Sequence, residues 1–361
     1  MSEVPPVAQA EMMVLQMTIY DIAKLAGVSP RTVTRAFQKN SRISEKTREL
    51  ILRISKENGY HPNALAGRLC GKTLHMVAVS IGSLEIFMGH IRKGFADAGE
   101  ALKNYKTEVS ILHFPDMESF VREVPMFLRS GFDCMALACS EVIPKDTVTL
   151  FKEAEIPIMT VTAGYENPSE DDFRLGDVSV DTEMKGRLAG NLLSLIRPEG
   201  KFGIFTGDLQ TTHHRSCLKG FREEADGAKS ITVWDTKDIP AFAAKSAEDC
   251  MQEAEPYDGI FFASANSVPA IERFLEIGYH PAVIASDIFP QMSRYLRDGV
   301  VQATVYQDPE EQGRLAVTSL YTWLVDGIPP QKQMKVMPRL VLKADLSEFE
   351  KDEKENETVI V

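Results

Sequence analysis

Residues 18–37, Thr-Ile-Tyr-Asp-Ile-Ala-Lys-Leu-Ala-Gly-Val-Ser-Pro-Arg-Thr-Val-Thr-Arg-Ala-Phe, narrow what this chain can fold into more than any other stretch. The pattern predicts two short helices about a tight turn. Ile22, Ala23, Leu25 and Ala26 supply one apolar face, with Thr18 ahead as N-cap and Gly27 behind as a residue free to take a positive φ. Ser29 is placed to cap a second helix, and Pro30 to occupy its first turn, where a missing N–H costs nothing. Val33 and Phe37, four apart, face the first helix, which leaves Pro30, Arg31, Thr34 and Arg35 facing out. A helix with that outward set fits a DNA major groove, where arginine takes guanine O6 and N7 bidentately.

A surface hairpin with ordinary exposed arginines would present the same face. Charge separates the two readings. Residues 17–73 hold eleven Lys/Arg against four Asp/Glu, a net of +7 in a chain of net charge −12, so the remainder carries −19. A basic head on an acidic body is the footprint of localised phosphate binding.

A third helix is expected from the cap Ser44 through Ile51 and Ile54 to Asn58, ended by Gly59. Asn63 then caps a two-turn segment, Ala64 to Cys70, too short to be stable alone and expected to form only against DNA or its own twin. In order and spacing, Tyr20-Asp-Ile-Ala, Ala26-Gly-Val-Ser, Thr32-Val-Thr-Arg, Gly59-Tyr-His-Pro-Asn and Leu69-Cys-Gly-Lys resemble the DNA-binding head of the lac repressor (LacI/GalR) family. The resemblance implies a homodimer on a pseudo-palindromic double-stranded operator. It implies that Pro30, Arg31 and Arg35 read bases, while Thr18, Ser29, Thr32 and Thr34 hold phosphates. By the same carry-over, Asn63, Ala66 and Leu69 of the hinge helix meet the minor groove, with Leu69 as the wedge that kinks it. Pro30 and Cys70 depart from the commoner family residues, which bears on the operator sequence and not on the binding mode.

The remaining length leaves roughly 280 residues for a core-forming body. No apolar run approaches the about 18 residues of a membrane span, and Met1 to Gln16 lack the cationic start and apolar core of an export signal. Cys70, Cys134, Cys139, Cys217 and Cys250 are odd in number and form no Cys-x-x-Cys pair, which fits reduced thiols in a cytoplasm. The expected divisions are a disordered extension over 1–16, a helix-turn-helix domain over 17–62, and a hinge helix and linker over 63–73. A two-lobed body follows over 74–345, then a charged, solvated tail over 346–361.

From Leu74 onward, short apolar runs alternate with amphipathic stretches. The strand candidates are Met76–Ile81, Glu108–His113, Cys134–Ala138, Pro157–Thr162, Asp177–Val180 and Phe202–Thr206. They continue with Ile231–Trp234, Gly259–Ala263, Ala282–Ser286, Ala303–Tyr306 and Met334–Val341. That alternation predicts parallel sheet with right-handed crossovers, and so many strands suit two lobes better than one sheet. The fold class is a small all-α helix-turn-helix head plus an α/β two-lobed body with parallel sheets. Residues 76–343 resemble the effector domain of the same family, which is similar to periplasmic sugar-binding proteins. The resemblance implies three interlobe crossings, expected near Val178–Thr182, near Ser286–Phe289 or slightly later, and near Trp323–Asp326. One lobe would then hold 74–178 and about 305–323, the other about 179–304 and 324–345.

Ligands in such sheets bind outside the carboxyl ends of strands. Arg215, Asn266, Asp287 and Gln307 each follow a strand candidate. A guanidinium, a carboxylate and two amides can satisfy vicinal hydroxyls, each of which donates and accepts. Their spacing resembles that of ribose-type sugar-binding proteins. Ser83 and Phe87 follow the first strand, where Phe87 would stack on a pyranose face. The acidic stretch Ala163–Arg174 departs from the family's short loop, and Trp234 reads as core. His213-His-Arg-Ser-Cys217 lacks the second cluster a zinc site needs, so neither metal nor cofactor is expected. The reading is a ligand-responsive, cytoplasmic, non-enzymatic DNA-binding regulator that senses a sugar-like metabolite. Its alternatives are a purine or phosphorylated corepressor, or an enzyme fused to a DNA-binding head.

Overall fold

The computed structural model describes residues 19–37, 43–58, 73–82, 85–139, 141–162 and 173–349. Thr18, Ser83, the hinge with Asn63, Ala66 and Leu69, and the proposed extension lie outside them, as does the side chain of Thr34.

The head is three helices: α1 (Ile19–Ala26), α2 (Pro30–Ala36) and α3 (Glu45–Glu57). Gly27 takes φ +67, and the Ser29 hydroxyl accepts from the Thr32 N–H, so the turn chemistry follows the sequence. Ser44 caps α3 in the same way through Thr47. Ile22, Ala23, Val33, Ala36 and Ile51 are the buried centre, with Ala26, Phe37 and Ile54 packed around it. Leu25 does not join them and is 55% exposed. At about 100° per residue, Ile22, Ala23 and Ala26 share an arc from which Leu25 is rotated by roughly 110°.

The body opens with β1 (Leu74–Ile81), β2 (Thr107–Phe114), β3 (Cys134–Ala138), β4 (Ile158–Val161) and β5 (Gly176–Val180). These are separated by α4 (Glu85–Leu102), α5 (Met117–Phe127) and α6 (Lys145–Ala154). After α7 (Thr182–Ile196) come β6 (Lys201–Thr206), β7 (Ser230–Asp235), β8 (Gly259–Phe262), β9 (Ala282–Ser286) and β10 (Ala303–Tyr306). Their crossover helices are α8 (Thr212–Glu224), α9 (Pro240–Met251), α10 (Val268–Ile277) and α11 (Pro290–Asp298). The chain closes with α12 (Pro309–Asp326), β11 (Gln333–Val336) and β12 (Arg339–Val341).

Two six-stranded sheets result, ordered β2-β1-β3-β4-β5-β11 and β7-β6-β8-β9-β10-β12. Every strand pair is parallel except β10 with β12. The central strands are apolar on both faces because helices cover both, as β3 and β6 show by being buried throughout. Phe120, Phe127 and Phe151 fill one lobe; Phe202, Phe221 and Phe261 fill the other, the last two stacked at 5.6 Å. Each such ring contributes about 1.5–3 kcal/mol by leaving water.

Two of the three crossings and the tail boundary differ from expectation. The first crossing falls where predicted: β5 ends at Val180 and Asp181 caps α7 through the Met184 N–H. The second lies at Gln307–Asp308, later than Ser286–Phe289 and close to the lobe limit expected at about 304–305, because β10 pairs with β9 from Ala303↔Ile284 onward and so stays in the second sheet. The third lies at Met337–Pro338, not Trp323–Asp326. The run Met334–Val341 is two strands, β11 beside β5 and β12 beside β10, broken where Pro338 offers no N–H to a ladder. Packing also continues past the expected tail boundary at 346: Leu346 is buried, and Phe349 meets the Tyr306 ring edge-on at 5.1 Å.

Candidate functional site

In the head, α2 presents Arg31 and Arg35 on its exposed side, with Pro30 and Thr32 half-buried. Ser29 Oγ and Thr32 Oγ1 lie 2.9 Å apart and fix the first turn. Arg48 Nη1 donates to the Ala36 carbonyl at 3.0 Å, so α3 holds the far end of α2. This is a rigid helix with two outward guanidiniums, stationed by its caps.

In the body, the carboxyl ends of β6 to β10 carry polar residues in two hydrogen-bonded groups. Asp287 follows β9, is 3% exposed, and takes two hydrogen bonds from Gln307: backbone N to Oδ1 at 3.1 Å and Nε2 to Oδ2 at 2.5 Å. Burial raises its pKa, against the lowering effect of Lys185 and Gln307. Asp238 follows β7. Its carboxylate accepts from His214 Nε2 at 3.0 Å and Ser264 Oγ at 2.7 Å, and its carbonyl accepts from Asn266 Nδ2 at 2.7 Å. Gly207 N–H donates to His214 Nδ1, which leaves the ring proton on Nε2 for Asp238. A side chain at Gly207 would collide with Asp238 and His214, so only glycine admits this pair. Burial alone would push the Asp238 carboxyl up; the His214 and Ser264 bonds outweigh it and bring it to about 2.

The facing lobe contributes Thr160, whose hydroxyl donates to Asp177 Oδ1 at 2.6 Å, and Arg174, whose Nη1 lies 4.0 Å from the same oxygen. Thr162 closes β4 with φ +57, unusual for a β-branched residue. On α4, His90 Nδ1 and Lys93 Nζ meet Glu310, at 2.8 and 2.5 Å. Among the described residues, eight non-glycine positions have positive φ, and five of them (Thr162, Lys237, Asp238, Asp287, Asp308) sit at strand carboxyl ends. Such strain, about 1–3 kcal/mol each, gathers where a site needs it.

The structure thus brings Asp287 and Gln307 together and places Asn266 on the same rim. Arg215 does not join: its side chain is exposed, and Nη1 is spent on the Leu209 and Gln210 carbonyls at 3.1 and 2.7 Å. Helical phase explains this, since the inward face of α8 is taken by Cys217, Gly220 and Phe221. Phe87 is half-buried on the first turn of α4. Trp234 packs on Phe205 at 6.0 Å, in keeping with a core role. The sequence reading missed Asp238, His214, His213 and Lys185. Asp238 was findable, because it follows a strand by the same rule that selected the other four. Lys185 was not, because it reaches the rim from a helix: Nζ donates to the Ala263 carbonyl at 2.8 Å. The cores hold buried thiols without disulfides, with burial pushing Cys139 to about 12 and Cys217 to about 11, so they are poor nucleophiles.

A capped helix-turn-helix on one unit and a strand-end polar rim on another are the parts of a DNA-binding head and a ligand-binding body. The chain belongs to the periplasmic binding protein domain family, matched over residues 77–327, and its residues 18–63 match the bacterial regulatory proteins of the lacI family. It is a LacI-type transcriptional regulator. It is 28% identical over 221 residues to the HTH-type transcriptional regulator DegA of Bacillus subtilis, a match spanning 59% of this chain and 62% of DegA. It is 24% identical over 346 residues to the HTH-type transcriptional repressor PurR of Haemophilus influenzae, spanning 90% of this chain and 97% of PurR. In fold it is similar to GanP, a glucose-galactose binding protein from Geobacillus stearothermophilus (TM-score 0.65, 20% identity, 76% of this chain and 99% of that one). It is likewise similar to a solute binding protein from Agrobacterium vitis bound with α-D-tagatopyranose (TM-score 0.67, 19% identity, 76% and 97%). Among the described residues, no helix is long and apolar enough to cross a membrane.

Proposed function

We propose that this protein is a dimeric, cytoplasmic transcriptional repressor that senses a polyhydroxylated small molecule between its lobes and turns over no substrate. The observation that carries this reading is the buried Asp287–Gln307 pair. It stands at the carboxyl end of the second sheet and on the second lobe crossing, so a ligand touching it also touches the hinge between lobes. Relatives named as regulators and a repressor support the output. Structural relatives that hold sugars support the input. A ligand with different affinity for two lobe arrangements shifts their balance by that difference and no more. In this reading Arg31 and Arg35 read base edges, Pro30 contacts them, and Ser29, Thr32 and Thr34 hold phosphates.

The test is direct. An operator is selected from random duplex DNA with the full-length protein, and its affinity is followed by anisotropy while hexoses, pentoses and inositols are added. At least one should change operator affinity. Asp287→Ala should abolish that response and spare DNA binding. Arg35→Ala should relax base discrimination by about 1–3 kcal/mol at one position of each half-site. A D287A protein that still responds would sink the cleft reading.

A further inference from the structure

Resting on that cleft reading, we infer that Lys185 is a positioning residue of the site: its ammonium, delivered by α7, matches the buried charge of Asp287 and keeps that side chain an ionised acceptor for a ligand hydroxyl. Both residues are 3% exposed. A lysine is almost never so buried without a counter-charge. Its own helix does not supply one. Lys185 is the fourth residue of α7, helical side chains lean toward the N-terminus, and that end of the dipole is positive.

The backbone register places the two groups in one neighbourhood. Lys185 Nζ donates to the carbonyl of Ala263, the residue after β8, at 2.8 Å. β8 runs parallel to β9 with Phe261 opposite Ile284, and the Ser286 hydroxyl donates to the Phe262 carbonyl at 2.8 Å. Two residues further on, Ala263 is level with Ser286, and Asp287 comes next, on a strand about 4.8 Å away. α7 packs across β8, β9 and β10, and the Ala263 bond fixes its start at their carboxyl ends. The lysine's charge lowers the Asp287 pKa against the raising effect of burial.

The neighbouring carboxylates are matched in other ways. Asp177 has Arg174 at 4.0 Å, Asp181 has Lys335 at 3.3 Å, and Glu183 has Lys219 and Arg187 at 2.9 and 3.2 Å. Asp238 keeps 37% of its side chain in water. Asp287 is enclosed, and its hydrogen bonds come from Gln307, a neutral donor. The other titratable groups facing the pair are His90 of α4 and Tyr306 of β10 beside Asp287, and His213 and Cys217 of α8 beside Lys185. Burial disfavours the charged forms of His213, Cys217 and Tyr306, and His90 is engaged by Glu310 at 2.8 Å. Each Asp287 oxygen spends one acceptor position on Gln307 and, while the group is ionised, keeps one for a hydroxyl.

The experiment is a double-mutant cycle on the full-length protein: Lys185→Met, Asp287→Asn and both together, with K185R alongside, each melted from pH 5 to pH 8 without ligand. Deprived of its cation, the Asp287 carboxyl should hold its proton to higher pH. The K185M midpoint should therefore fall by about 3 °C or more across that range beyond any change in wild type. The double variant should lose that extra fall and melt above K185M at pH 8, and K185R should keep the wild-type pH dependence. Stem packing and the Ala263 bond alone would lower the midpoint equally at every pH and add to D287N. In the operator titration, the hexose, pentose or inositol that acts on wild type should act on K185M about ten-fold more weakly at pH 6 than at pH 8. A loss in K185M that ignores pH would overturn the inference and leave the sensor reading standing. So would a double variant no more stable than K185M at pH 8, whether both fold or both fail. A cycle that closes as expected while no sugar moves operator affinity would overturn the ligand role together with the sensor reading, and leave the charge pair as structure alone.

Discussion

The two lobes are built to one plan and put to different use. Both sheets run in the same order, with one strand borrowed from the end of the chain: β11 joins the first in parallel, β12 the second antiparallel. Both also join a helix pair through glycine. Gly94 and Gly313 let α4 and α12 touch backbone to backbone, as Gly186 and Gly220 do for α7 and α8. The difference lies at the strand ends. Among the described residues, one left-handed non-glycine residue, Thr162, stands there in the first lobe, and polar groups such as Ser80, Arg92 and His113 tie a helix to its neighbouring strands. In the second, Lys237, Asp238, Asp287 and Asp308 are left-handed, and their hydrogen bonds run from loop to loop. Duplicating a scaffold does not duplicate a site, because the loops carry the chemistry.

If the shared plan is real, the largest effects should be alike in both lobes. Gly94→Val and Gly186→Val each force a side chain into a facing backbone and should each cost about 3 kcal/mol or more, read by thermal denaturation. A mild effect in one lobe would break the symmetry. The next effect should separate the lobes. Asp287→Asn should weaken ligand binding about ten-fold or more, yet leave stability at neutral pH unchanged or higher. Burial raises this carboxyl's pKa, so the folded state binds its proton more tightly than the unfolded one, and the ionised form costs stability as pH rises through that window. D287N should flatten that part of the pH–stability curve.

Asp238 should show the opposite sign. With its pKa at about 2, its contribution is present above its ordinary value and lost as pH falls from about 4 toward 2. Solvent screens the partly exposed pair, so about 1 kcal/mol is expected, and the gap between wild type and Asp238→Asn in urea should close across that range. A gap that widened with acid would reverse the assignment. The smallest effect belongs to the first lobe: Thr162→Gly relieves left-handed strain but loses the bond its hydroxyl donates to the Cys139 carbonyl, so thermal denaturation should show a net change of about 1 kcal/mol or less.

Much of this was legible in the sequence. The turn of the head was, because Gly27, Ser29 and Pro30 act through local backbone geometry that needs no tertiary context. Most strands were, because burial on both faces leaves unbroken apolar runs. Asp287 and Gln307 were legible as strand-end residues, but their mutual bond was not. Where Arg215 would sit was not legible, because following a strand does not fix which face of the next helix a residue takes. Lys185 was not legible, and His213 was weighed only as a zinc ligand, for the same kind of reason, since both lie on helices whose rotation is set by glycine contacts elsewhere.

The sequence by itself determined a capped second helix with outward arginines, a basic head on an acidic body, and a parallel α/β body with polar groups after its strands. These follow from period, capping and charge, which act over a few residues. Only the tertiary structure decided where the chain crosses between sheets, which strand of the closing run joins which lobe, and which polar groups meet. Those outcomes depend on pairings between residues far apart in the chain, such as Asp177 with Gln333 and Arg339 with Tyr306, and on backbones brought together at glycine. A buried charge such as Lys185 acquires meaning only once its surroundings are assembled, because what it costs is set by what surrounds it.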